Sequence, residues 1–194
     1  MAAGAVLCPA CGKIQPVGRG EDHFTALGIP RAFAVDAADL ERRFRERSRQ
    51  IHPDRFARAE PRERRLSLDR TTRLNDAFRQ LRDWRLRAAY LLRLAGVEAL
   101  PEGKSLSDPE FLEEQLEWRE ELALAASGSD RGKLAEIAAR ARERLRALER
   151  EVARGFADPA WASGLREEIA RSLARARYYE NVVAEAERAA APRS

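Results

Sequence analysis

The sequence runs to 194 residues with 44% hydrophobic and 35% charged side chains, which supports a real core and excludes a disordered chain. Its 36 basic residues are nearly matched by 32 acids, leaving a net charge of +4, and the two signs interleave along almost every segment. That pattern marks solvated helix faces rather than a nucleic-acid patch. No apolar run approaches the ~18 residues of a membrane span. The start, Met1 to Cys8, lacks the basic region and apolar core of a signal peptide, and two cysteines in one C-x-x-C pair fit a reducing compartment. A cytoplasmic protein with no membrane or nucleic-acid partner is expected. β-branched residues are scarce and no stretch alternates apolar with polar residues, so the fold is expected to be all-α.

Residues 1–20 read as a Gly- and Pro-containing tail around Cys8-Pro9-Ala10-Cys11-Gly12. The spacing matches one knuckle of a zinc ribbon, in which two thiolates grip one side of a tetrahedral metal. A structural site takes four ligands, and the sequence holds no second pair. Cys8 and Cys11 are therefore weak metal candidates, with His23 the nearest further donor, and no metal is assigned. A redox dithiol would lack its usual strand–helix–strand setting.

Residues 21–28 read as a short helix stopped by Gly28 and Pro30, with Phe24 and Leu27 inward and His23 on the surface. Asp36 is a good N-cap for the next helix, and Asp39 suits its first turn. Leu40, Phe44 and Ile51 form that helix's inner stripe, while six arginines stand against three acids between Glu41 and Arg55. Pro61 suits the first turn of a returning helix that runs to about Asp83, with Leu74, Phe78 and Leu81 inward. Between these two helices lies Arg49-Gln50-Ile51-His52-Pro53-Asp54-Arg55-Phe56, the turn of a helical hairpin. Pro53 disfavours helical geometry at His52 and ends the first helix there. The turn thus offers an imidazole and a carboxylate at the tip of a scaffold, where polar residues usually carry function. The arginines beside it suit an electrostatic docking face for an acidic partner.

A further helix follows, with Trp84, Ala88, Leu91, Leu92 and Ala95 as its buried stripe and Gly96 as its stop. Residues 98–107, with Pro101 and Gly103, read as the linker between an N-terminal domain over 21–97 and a second domain over 108–188. Asp108-Pro109 and Asp158-Pro159 are both helix-start signals. The first opens a helix over 110–126. A second runs from about Asp130 to Arg154 on a stripe of Leu134, Ile137, Ala141, Leu145, Leu148 and Val152. The last runs from Pro159 to about Arg188 through Trp161, Leu165, Ile169, Leu173, Ala176 and Val183, before a frayed tail from Ala189. Three such helices with short connections make an antiparallel bundle.

His52-Pro53-Asp54 between a basic helix and a longer returning one resembles the J domain. Asp22-His23-Phe24-Thr25-Ala26-Leu27-Gly28, Leu74-Asn75-Asp76-Ala77-Phe78, Arg87-Ala88-Ala89-Tyr90-Leu91-Leu92 and Phe111-Leu112-Glu113-Glu114-Gln115-Leu116-Glu117 resemble the HscB family of iron–sulfur co-chaperones. The resemblance covers about residues 21–185. It implies a non-enzymatic adaptor without a cofactor, in which a J-domain hairpin is joined to a C-terminal three-helix bundle. The J domain would stimulate ATP hydrolysis by an HscA/DnaK-type chaperone, with His52, Pro53 and Asp54 as the stimulating turn and Arg43 and Arg49 as helix-face contacts. The bundle would bind the iron–sulfur scaffold IscU through Leu112, Glu113, Leu116, Glu117 and Glu120, with Tyr178 from the last helix. Glu113 stands where the family often has an apolar residue, and Tyr178 where an aromatic is typical. The C-x-x-C pair resembles half of a four-cysteine metal site found in some relatives.

The residues leave other readings open. Leu112 and Leu116 could be plain bundle core. A J-domain co-chaperone with a different client is the nearer rival. An enzyme using His52 and Asp54 as a pair would need a base–orienter hydrogen bond that positions around Pro53 do not readily make, and a nucleophile that does not accompany them.

Overall fold

In the computed structural model, residues 6–97 and 108–191 are described. The expected linker over 98–107 lies outside them, as do the first five and last three residues. Every regular element among the described residues is helical, apart from one isolated β-bridge. No helix among them is long and apolar enough to cross a membrane. The chain divides into two compact units, one ending at Leu91 and the other beginning at Leu92.

The first unit opens on a folded segment where a tail was expected. Leu7 and Ile14 form an antiparallel bridge, and Val6 and Ile14 are buried. The cause lies in the later sequence. Arg70, itself only 4% exposed, donates to the carbonyls of Gln15 (2.8 Å) and Pro16 (2.7 Å) and pairs with buried Glu21 at 2.7 Å. Helix α1, His23–Leu27, is capped by Asp22, whose carboxylate accepts the Thr25 N–H at 2.6 Å. It ends at Gly28, which adopts φ +66°, and a Cβ there would collide with the Arg47 guanidinium. His23, expected on the surface, is 9% exposed. Its backbone N–H bonds the Tyr90 hydroxyl at 3.1 Å and its ring lies 4.5 Å from that of Tyr90.

Helix α2, Ala37–Ile51, starts at Asp36, which accepts the Asp39 N–H at 2.7 Å. It packs along α3, Pro61–Arg82, through Leu40, Ile51, Leu74 and Leu81, all at most 2% exposed, and through a Phe44–Phe78 stack at 4.3 Å. Helix α4, Trp84–Leu94, buries Ala88, Leu91 and Leu92, with Trp84 only half-buried.

The Asp22 cap sets a pH dependence. Burial opposes its ionisation, but the Thr25 N–H and the Arg31 guanidinium outweigh it and hold the carboxyl below its ordinary range. A folded pKa below the unfolded one gives stability that is complete above the unfolded value and lost as pH falls through the folded one. The melting temperature is therefore expected to fall as pH drops below about 4. Asp22→Asn should make that decline shallower in a series of thermal melts. An unchanged acid slope would show the cap to be neutral.

The second unit holds α5, Pro109–Ser127, α6, Arg131–Ala157, and α7, Arg166–Ala190, with α6 and α7 as its principal packed pair. Asp108 caps α5 and also pairs with Arg175, whose guanidinium lies 5.2 Å from the Phe111 ring centre. The expected α6 stripe is buried except for half-buried Leu145. Two expectations need correction. Asp158-Pro159 does not start an α-helix. Asp158 ends α6 and accepts the Ala160 N–H at 2.7 Å, and a π-helical turn, Trp161–Leu165, precedes α7. That wider turn goes with an edge-on contact between Trp161 and Phe156 at 4.8 Å. Along α7, Ile169 and Ala176 are buried as expected, joined by Ser172, Tyr179, Val182 and Ala186, while Leu173 and Val183 are only half-buried. The helix continues to Ala190, past the expected fraying point.

Candidate functional site

The hairpin turn is built from its root. An α-helix leaves its last carbonyls without intrahelical partners. At the end of α2 the Ile51 carbonyl accepts the Ser67 hydroxyl at 2.6 Å and the Thr71 hydroxyl at 3.4 Å, both from α3, and Ser67 is fully buried. Arg55 reaches back to the Arg49 carbonyl at 3.2 Å. His52 then takes φ −57° and ψ 133°, the extended geometry that Pro53 imposes, and Pro53–Phe56 form a 3₁₀ turn. The Asp54 N–H donates to His52 Nδ1 at 3.3 Å, and the Arg55 N–H donates to the His52 carbonyl at 3.0 Å. His52 Nδ1 lies 3.5 Å from Asp54 Oδ2, so the two side chains come closer than the sequence suggested. They remain open to solvent, with the Asp54 side chain 90% exposed.

The arginine row divides. Arg43 donates to the Gly28 carbonyl and to Asp39, each at 2.7 Å, and Arg47 donates to the Ala26 carbonyl at 2.9 Å. These two close the C-terminal end of α1, and burial pushes the Arg47 guanidinium pKa down. Arg42 pairs with Asp39 and Glu46, and Arg45 with Glu41. Arg49 stays exposed beside the turn, with Nε on the Arg45 carbonyl at 3.3 Å.

In the second unit, α5 buries Phe111, Trp118, Leu122 and Ala125. Leu112 and Leu116 are 41% and 58% exposed, which rules out the plain-core reading. Glu113, Glu117 and Glu120 are exposed on the same side, so acids flank an apolar stripe. Leu124, at 73% exposure, extends the stripe by two turns. Its i+8 spacing from Leu116 was the available signal, and sequence reading passed over it. Tyr178 is half-buried, sets its ring edge-on to Phe111 at 5.5 Å and donates its hydroxyl to the Gln115 carbonyl at 3.0 Å. Burial pushes its pKa up to about 12, so it stays a donor at neutral pH. It latches α7 to α5 under the exposed face.

A protein of Azoarcus sp. strain BH72 described as "Co-chaperone protein HscB homolog" is 41% identical over 138 residues, covering 71% of this chain and 76% of that one. The chain belongs to the HscB family. The family model for the "HSCB C-terminal oligomerisation domain" matches residues 107–187. The crystal structure of human HscB matches with a TM-score of 0.83 at 28% identity, covering 94% of this chain and 88% of the human one. HscB from Vibrio cholerae matches with a TM-score of 0.72, also at 28% identity, over 86% and 96% of the two chains. A Bordetella petrii HscB homologue is 48% identical over 102 residues, 53% of this chain, and the match spans 60% of that relative's length.

Within this HscB framework, the residues that sequence reading missed are supporting ones. Ser67, Thr71 and Arg55 hold the root of the turn, and Arg70 holds the N-terminal segment. Among the described residues no three or more His, Cys, Asp or Glu side chains gather as a metal cluster.

Proposed function

We propose that this HscB-family chain is a co-chaperone of iron–sulfur cluster biogenesis acting in the cytoplasm, not itself an enzyme. Its His52-Pro53-Asp54 turn docks on an HscA/DnaK-type chaperone and stimulates ATP hydrolysis. Its α5 face carries the scaffold protein IscU to that chaperone for cluster transfer. The observation that carries the reading is the solvent-open turn whose root is clamped by Ser67 and Thr71. A turn already ordered loses little entropy on docking. The exposed Asp54 carboxylate can take an arginine of the chaperone in charge-assisted hydrogen bonds. Neither side chain need reach the nucleotide, because binding one of two chaperone conformations better is enough to shift its cycle. On α5, the Leu112–Leu116–Leu124 stripe suits an apolar ridge of the scaffold, and its flanking glutamates suit basic residues around that ridge.

Single-turnover ATP hydrolysis by the cognate chaperone tests both halves. The chain is expected to raise the rate, and scaffold protein to raise it further. Stimulation with no scaffold effect would leave a J-domain co-chaperone for a different client. No stimulation would overturn the docking role of the turn.

A further inference from the structure

Where α2 passes into the 3₁₀ turn, most of the backbone freedom is removed by proline. Pro53 fixes its own φ and confines ψ of His52 to the extended range, observed at 133°. Pro53 also lacks the N–H that would have met the Arg49 carbonyl, and the Arg55 guanidinium takes that place at 3.2 Å. What remains soft is the planar peptide between Ile51 and His52, which pivots on ψ of Ile51 and φ of His52. Its carbonyl is the one that accepts the Ser67 hydroxyl at 2.6 Å, with Thr71 a longer second donor at 3.4 Å. The direction in which the His52 side chain leaves the backbone follows from the setting of that plane.

Packing alone does not account for a serine at this place. Ser67 shares the buried side of α3 with Leu74, Ala77 and Leu81 and is fully buried itself, where alanine would suit the helix better. A serine within a helix commonly points to solvent or bonds the carbonyl four residues earlier. This hydroxyl instead reaches Ile51, 16 positions back in the chain. Taking the His52-Pro53-Asp54 turn as the chaperone contact proposed above, the geometry points to Ser67 as a positioning residue for ATPase stimulation. Its hydroxyl holds the Ile51–His52 peptide in the orientation that presents His52 and Asp54 to the chaperone. Without that bond the plane samples other settings, and docking must select the competent one. Apparent affinity then falls by the competent fraction, while the docked complex keeps its contacts. A loss of fold stability does not produce that pattern, because a domain short of one buried hydrogen bond stays overwhelmingly folded.

The test is a titration of single-turnover ATP hydrolysis by the cognate chaperone with the full-length parent chain, Ser67→Ala and Leu81→Val. Leu81→Val trims the buried core at the far end of α3 and controls for lost stability. Ser67→Ala is expected to raise the concentration giving half-maximal stimulation about tenfold, the effect of one buried hydrogen bond, with the saturating rate unchanged. Amide exchange followed by NMR should quicken at Asp54 and Arg55, whose N–H groups close the turn on His52. Leu81→Val should keep the parent's half-maximal concentration and its exchange at those two amides, because the turn opens locally. A parent that fails to stimulate would remove the docking role of the turn, and this inference with it. Where the parent stimulates, three results would each overturn the role of Ser67 alone: a Ser67→Ala titration that overlays the parent's, an equal rise in Leu81→Val, or a lower saturating rate at unchanged half-maximal concentration.

Discussion

His52→Gln is expected to bring chaperone stimulation close to the basal rate while leaving the fold intact. The His52 side chain is 51% exposed, so its replacement creates no core cavity. Surface substitutions of that kind usually change stability by no more than about 0.5 kcal/mol. The turn's backbone is fixed independently of the imidazole, by Pro53 and by the two hydroxyls on the Ile51 carbonyl. What changes is the tip: a flexible amide replaces a planar ring whose Nδ1 accepts the Asp54 N–H and lies beside the Asp54 carboxylate. Truncating a contact that anchors an interface costs on the order of 2 kcal/mol or more. At limiting protein that is about thirtyfold in the stimulated rate. Asp54→Asn should show a comparable loss, because it keeps the shape and removes the charge. Single-turnover hydrolysis beside a thermal melt separates the two effects. A folded His52→Gln that stimulates like the parent chain would remove the turn from the mechanism.

Much of this architecture follows local rules, and the sequence displays it accordingly. Asp36 and Asp108 cap the helices where their chemistry places them, and Pro53 ends α2 where its ring must. Asp158-Pro159 carries the same letters as Asp108-Pro109 but sits against the end of α6, where a Trp161–Phe156 contact and a π turn take precedence. A local signature cannot weigh that tertiary contact, and on α7 Ile169 and Ala176 are buried as expected while Ser172 and Val182 take the inward places expected of Leu173 and Val183. On α5, the exposed Leu112 and Leu116 share their residue type and spacing with core positions, so only packing tells them apart. Arg43 reads as part of a charged surface, yet its reach to the Gly28 carbonyl crosses 15 positions of chain. Ser67 gave a fainter signal, a small polar residue about two turns before Leu74 on the buried side of α3.

Arg70 is the most consequential residue of that hidden kind, and its loss is expected to have the largest effect on stability. It lies in the middle of α3, where a charged residue reads as solvated surface. Its side chain is 4% exposed and meets that of Glu21, 5% exposed, at 2.7 Å. The same guanidinium holds the Gln15 and Pro16 carbonyls. Arg70→Leu would leave a buried carboxylate without its counter-charge and two carbonyls without their donor. Breaking one side of a buried pair costs about 3–5 kcal/mol, a large share of the roughly 5–15 kcal/mol that holds a domain folded. Arg70→Lys keeps the charge but lacks the planar fork needed to serve a carboxylate and two carbonyls together, so it should recover only part of the loss. The double variant Arg70→Leu/Glu21→Leu should be more stable than Arg70→Leu alone, because the stranded charge has gone and apolar side chains take its place. Urea unfolding of the three variants measures these differences. If Arg70→Leu unfolded within about 1 kcal/mol of the parent, the pair could not be what fastens residues 6–20 to α3. Recovery in the double variant would assign the cost to the isolated Glu21 carboxylate rather than to lost packing around α3.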